Sequence, residues 1–255
     1  MNAPCSPFPY RLRISHEGRA GIRLERPGRH IRINPVQPLR PGEISVLTWQ
    51  WPEHLQATAE AVRGGLKPTV IAPQPVLEWL SEQGEIEIGG SEIDGVVFQL
   101  IPYQPIPALT PIEAVYKARA AAASPRRALA RLRQKRGLPR SAPQVGVFTF
   151  DDGKKLVHLN LALHDKTPDA WLEEHRAVLS GAEWLLVGVD HGEDAAVLDR
   201  IGALEPRRVL FTDLIAETRR WLGMPTALLT PTVDRAVTLG FDAYPFVSQA
   251  SFRFE

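Results

Sequence analysis

The side chains of this chain best suited to chemistry gather where strands are predicted to end. Trp49, Trp51, Glu53 and His54 crowd the stretch from Thr48 to His54, at a strand-to-helix junction. His158, His164-Asp165 and Asp190-His191 sit beside later strand ends, the edge at which α/β sites collect. The two His/Asp pairs could form a relocated site. Adjacent side chains on a regular strand point to opposite faces, however, so these dipeptides read as loop residues. For Trp49 and Trp51 the choice lies between a stacking surface in a pocket and packing in a core or lid, the commoner use of a large indole. A basic group, Arg126, Arg127, Arg131, Arg133, Lys135 and Arg136, would suit an anionic partner: nucleic acid, a phosphorylated ligand or an acidic protein surface. The plainer reading is a solvated helical excursion that pairs with acidic residues elsewhere, in the same chain or across a homo-oligomer interface. No DNA-binding motif accompanies the run.

The elements that must position these residues follow from apolar periodicity and turn residues. Strands are predicted at 11–15, 22–25, 31–34 and 44–48, with Arg26-Pro27-Gly28 as a turn. A helix from about 54 to 63 is stopped by Gly64-Gly65, and a strand at 69–72 leads to a helix near 75–82 whose Val76, Leu77 and Leu80 form one stripe. Strands return at 85–88 and 96–101. A proline-rich passage then precedes an alanine-rich basic segment, two helices broken at Ser124-Pro125. Asp151-Asp152-Gly153 joins strands 145–150 and 156–161 as a hairpin. Helices at 168–179, 195–204 and 214–222 alternate with strands at 184–189 and 208–211; a helix near 232–239 precedes an extended tail.

The 255 residues suffice for a sizeable core, and the reading is a single domain over 1–255 with a basic helical insertion at about 111–140. With 44% hydrophobic and 23% charged residues the chain is neither disordered nor membrane-like. No apolar run reaches the roughly 18 residues of a membrane span, and Met1 to Tyr10 lacks the apolar core of a signal peptide. The single cysteine, Cys5, cannot form an intrachain disulfide, so a reducing cytoplasm is expected. The net charge of +1 hides an asymmetry: Ala114 to Arg140 carries nine of the 30 basic residues and no acid, which leaves 21 basic against 29 acidic residues elsewhere.

The segment Thr48-Trp49-Gln50-Trp51-Pro52-Glu53-His54 resembles, in degenerate form, the T-H-x-H-x-D-H motif of metallo-β-lactamase-fold hydrolases. In that family histidine nitrogens and a carboxylate hold one or two metal ions that supply a hydroxide. Further pieces match in order. Ile33-Asn34-Pro35 resembles the family's I-D-P strand end, and His16-Glu17-Gly18 resembles the G-H-x-G opening of the branch that includes L-ascorbate-6-phosphate lactonase. Val157 to Leu161 resembles the H-T-G-D-T strand, with the metal-bridging Asp falling on Leu161 or Asn160. Pro206 to Asp213 resembles the closing strand, its terminal His replaced by Asp213, and a further family His has only Gln104 nearby.

The resemblance implies an α/β (α+β) fold, a four-layer αβ/βα sandwich of the metallo-β-lactamase type. It makes Trp49, Trp51, Glu53, His54, Gln104, Asn160, Leu161 and Asp213 the lining of a vestigial pocket. Tryptophan has an N–H to donate and no lone pair for a metal, so the expectation is a non-catalytic binding or scaffold protein without a metal cofactor. The alternative is a hydrolase of lactones, esters or phosphodiesters with a remodelled site, in which Glu53, His54 and Asp213 would hold zinc or manganese. Polyanion binding through the basic segment is the third reading.

Overall fold

A computed structural model describes residues 12–18, 21–49, 51–103, 115, 118–119, 121–126, 129, 136–164, 167–189, 194–213 and 229–254. It divides into two compact units, one of Met1–Gly89 with Phe246–Glu255 and the other of Gly90–Pro245.

The first unit is built on β1 (Leu12–Gly18), β2 (Gly21–Arg26), β3 (Arg29–Ile33), β4 (Glu43–Val46), β5 (Thr69–Ile71), β6 (Glu87–Ile88) and the C-terminal β14 (Ser251–Phe254), with helices α1 (Pro52–Arg63) and α2 (Gln74–Ser81). The sheet order is β14-β1-β2-β3-β4-β5-β6. Neighbours from β14 to β3 are antiparallel, and those from β3 to β6 are parallel. Period-2 alternation explains the hairpins: Leu12, Ile14, Ile22, Leu24, Ile31 and Ile33 are all buried on one face. The other face carries charge. Arg32 bonds Glu17 at 2.7 Å and Glu43 at 3.0 Å, and this mutual pairing lets Arg32 and Glu43 lie almost wholly buried. Helix α1 begins with Pro52, whose missing N–H would be unsatisfied there in any case, and it ends before Gly65 at φ +85°. Leu55, Ala59 and Val62 form its buried stripe; Leu55 alone contributes about 2 kcal/mol by leaving water.

The second unit repeats the pattern with β7 (Glu92–Ile93), β8 (Val96–Pro102), β9 (Gln144–Phe150), β10 (Lys155–His158), β11 (Trp184–Gly188), β12 (Val209–Thr212) and β13 (Ala243–Pro245), and with α3 (Asp169–Leu179), α4 (Asp194–Leu204) and α5 (Leu229–Thr238). Its order is β13-β12-β11-β10-β9-β8-β7. Here β7 to β10 are antiparallel and β10 to β13 parallel. Strands β11 and β12 are buried throughout, as parallel strands covered on both faces are. Among the described residues no helix is long and apolar enough to cross a membrane.

Two expectations need correction. The strand predicted to run to Leu161 stops at His158; the N–H of Leu159 and the carbonyl of Asn160 still bond Leu186 and Gly188 of β11, and Asn160 at φ +52° then turns the chain out of the extended conformation. The tail is not merely extended: it supplies β13 to one sheet and β14 to the other. The expected helix at 214–222 lies outside the described residues, as do residues 111–114, 116–117, 120, 127–128 and 130–135 of the basic segment.

Candidate functional site

The candidate site is the edge of the first sheet at which β1, β3 and β4 end. Asn34 follows β3 and is completely buried, with φ +49°, a conformation Asn tolerates better than most residues. Its side-chain Oδ1 accepts the backbone N–H of Thr48 (2.8 Å) and of Trp49 (3.1 Å), while its Nδ2 donates to Thr48 Oγ1 (2.8 Å). One amide therefore fixes the chain leaving β4. The edge is tight: a Cβ on Gly21 would lie 3.1 Å from the carbonyl oxygens of Asn34 and Gly18.

Beyond this clamp the chain turns into α1. Trp51 takes the extended cap conformation (φ −72°, ψ 142°), and its carbonyl accepts the N–H of His54 at 3.0 Å. Glu53 lies in the first turn, where the positive end of the helix dipole favours a carboxylate. His54 is completely buried. Trp51 stacks on its ring with centroids 5.6 Å apart and planes 23° apart, and Trp49 meets Trp51 at 5.4 Å and 62°. His54 Nδ1 is 3.4 Å from the carbonyl of Trp49. Both tryptophans keep part of their surface exposed.

At the end of β1, His16 is buried against Phe246, with ring centroids 5.0 Å apart. Its Nδ1 accepts the N–H of Gly18 at 3.0 Å, which requires the neutral ring. Burial lowers its pKa to about 4.

In the second unit, His158, Leu159, Asn160 and Leu161 are buried in succession at the end of β10. Asn160 Nδ2 donates to the carbonyl of Gln144 (2.6 Å), and the N–H of Leu161 meets the Tyr103 hydroxyl at 3.4 Å. Burial pushes the Tyr103 phenol well above its ordinary value. The indole of Trp171 donates to the carbonyl of Pro102 (2.8 Å) and packs against Tyr103 and His175. His164 is held through its backbone, since Arg200 donates to the carbonyls of Leu163, His164 and Thr167. Asp213 follows β12 and is partly exposed.

The structure thus brings Trp49, Trp51 and His54 together beside Asn34 and Thr48. Gln104, Asp165, Asp190, His191, Arg127, Arg131, Arg133 and Lys135 lie outside the described residues. Arg126 and Arg136 are exposed. Sequence reasoning quoted Asn34 only as a variant of a family position and missed its clamping role. The signal was an Asn-Pro dipeptide at a strand end, a turn signature. The Tyr103–Trp171–His175 stack gave no sequence signal, since its members are separated in the chain.

Several of the side chains at the positions aligned with family ligands do not suit a di-metal centre. Two are indoles without a lone pair, the bridging position falls on Leu161, a buried hydrocarbon, or on the amide Asn160, and the ring of His54 lies under Trp51, which leaves Glu53 and Asp213 as the carboxylates of the set. Among the described residues no three His, Cys, Asp or Glu side chains gather where they could hold a metal ion.

No protein-family model matches the sequence, and a search of curated proteins finds no match. Solved structures do match. Igni18, a metallo hydrolase from the hyperthermophilic archaeon Ignicoccus hospitalis KIN4/I, superposes with a TM-score of 0.65 at 14% identity, over 96% of this chain and 98% of that one. Isothiocyanate hydrolase from Delia radicum gut bacteria gives 0.55 at 11% identity, over 95% and 99%. CmlA, a diiron β-hydroxylase from Streptomyces venezuelae, gives 0.55 at 12% identity, over 97% of this chain but 55% of that longer one. The chain has the metallo-β-lactamase fold. Hydrolases and a hydroxylase share this architecture, so the chemistry must be argued from the site.

Proposed function

We propose that this protein is a non-catalytic member of its fold, a binding or scaffold protein whose di-metal hydrolase site has been lost. The observation that carries the reading is the segment from Thr48 to His54. Where hydrolases of the fold need imidazole and carboxylate donors, this chain has Trp49 and Trp51, with His54 stacked under the second indole. The clamp below them is neutral as well, because Asn34 stands where the resembling motif has Asp. Replacing two imidazoles by indoles, and carboxylates by amide or hydrocarbon, removes most of the ligands and part of the negative charge that a divalent cation requires, and leaves only Glu53, His54 and Asp213 of the aligned set.

Metal analysis of protein purified without chelator tests the proposal. The expected result is far less than one zinc, manganese or iron per chain, with no change on His54→Ala. Stoichiometric metal that disappears in His54→Ala would overturn it. A second reading, a hydrolase of lactones, esters or phosphodiesters with a remodelled zinc or manganese site, draws support from the hydrolases among the structural neighbours. It predicts the opposite result, with turnover that a chelator abolishes.

A further inference from the structure

We propose that Trp49 and Trp51 form an aromatic corner that binds a methylated ammonium group; the idea rests on the non-catalytic reading above. Three observations point to it. Asn34, Thr48 and His54 beside the corner are completely buried, yet Trp49 and Trp51 are only partly buried. Adjacent indoles that keep part of their surface in contact with water offer apolar area that a ligand could cover. The pair is also braced in advance: the Trp49 backbone is hydrogen-bonded to Asn34, the Trp51 ring rests on His54, and the two indoles pack edge to face. Such bracing reduces the freedom lost on binding. Finally, the planes meet at 62° with centroids 5.4 Å apart. Parallel walls would suit a flat ring, whereas an angled pair suits a rounded group.

Chemistry selects the charge of that group. Indole faces are negative and make the strongest cation–π contacts of the natural side chains. They offer no lone pair, so an inorganic cation would give up its water without replacement ligands. A methylated ammonium, large and weakly hydrated, loses little by leaving water. Glu53, in the first turn of α1, contributes the single negative charge between Thr48 and Leu55.

The test titrates the full-length protein with choline and with its uncharged carbon isostere, 3,3-dimethylbutan-1-ol, following tryptophan fluorescence. Choline should saturate, and the isostere should bind about tenfold or more weakly. Trp49→Leu should weaken choline by about tenfold, and Trp51→Phe by less. Equal affinity for the isostere, no saturable response to choline, or unchanged affinity in Trp49→Leu would each overturn the proposal. The isostere comparison needs no variant to fold. Metal content measured on the same samples keeps the two ideas apart: failure of choline on metal-free protein removes the cation site alone, whereas stoichiometric metal removes the non-catalytic reading.

Discussion

The two units solve one problem in two ways. In each, a run of antiparallel strands gives way to parallel ones, at β3 in the first and β10 in the second. In each, the strand at the switch is followed by a buried asparagine at positive φ, Asn34 and Asn160. The amides then diverge. Asn34 reaches forward and binds the loop after β4 with three hydrogen bonds. Asn160 donates to the carbonyl of Gln144, at the start of the antiparallel neighbour β9. One edge presents aromatic rings on a pinned loop, while the other is filled by Leu159, Leu161, Ala162 and Leu163. A shared backbone solution therefore serves a shaped surface in one unit and hydrocarbon packing in the other.

The contrast is broken most directly at Leu161. Leu161→Asp places a carboxylate in a hydrocarbon setting and should destabilise the protein by roughly 5 kcal/mol in urea unfolding, the range of an unpaired buried charge. Zinc should not restore the loss. A zinc-dependent rise in the melting temperature of this variant would show a latent metal site at the second edge.

Next in size is Asn34→Gly, which keeps the left-handed backbone accessible and removes only the amide. The buried N–H of Thr48 and the part-buried N–H of Trp49 lose their acceptor, for an expected loss of about 3 kcal/mol. Asn34→Asp preserves the acceptor and should lose much less. Fluorescence anisotropy should report faster tryptophan motion in the glycine variant alone.

Much of this was readable beforehand and some was not, for physical reasons. Alternating Ile and Leu in β1 to β3, and Pro52 with Gly64-Gly65 around α1, made those elements legible, because local pattern and tertiary burial agree there. The order of degenerate motifs from His16 to Asp213 pointed to the fold that the structural neighbours share. The C-terminal strands were missed because pairing supplies what their short sequences lack. Ser251 to Phe254 becomes a strand by bonding β1, more than two hundred residues away in sequence. The clamp by Asn34 was missed for a similar reason, since its acceptor role exists only once Thr48 and Trp49 stand opposite it.

His16 tests the first edge by pH. Its folded pKa, about 4, lies below the ordinary 6.5, so the unfolded chain binds the proton more tightly. Stability from this group is therefore complete above pH 6.5 and is lost as pH falls toward 4, by at most about 3 kcal/mol. Burial of the neutral ring is the cause, and the N–H of Gly18 loses its acceptor when Nδ1 is protonated. Urea midpoints measured from pH 7 to 4 should fall for the wild type and much less for His16→Asn. Equal falls would assign the acid sensitivity to other groups.

The smallest effect sharpens the comparison most, because it repeats the Asn34 substitution at the matching place in the other unit. Asn160→Gly again leaves the left-handed backbone available and removes the amide. What is known to be lost differs in kind: the carbonyl of Gln144 loses a donor, whereas at Asn34 two N–H groups, those of Thr48 and Trp49, lose their acceptor. A carbonyl short of one partner is tolerated better than an orphaned N–H. The expected loss is about 1 kcal/mol, with no change in tryptophan anisotropy. If Asn160→Gly instead matched Asn34→Gly in urea unfolding, the two asparagines would be equivalent braces, and the special status given to the first edge would rest on its tryptophans alone.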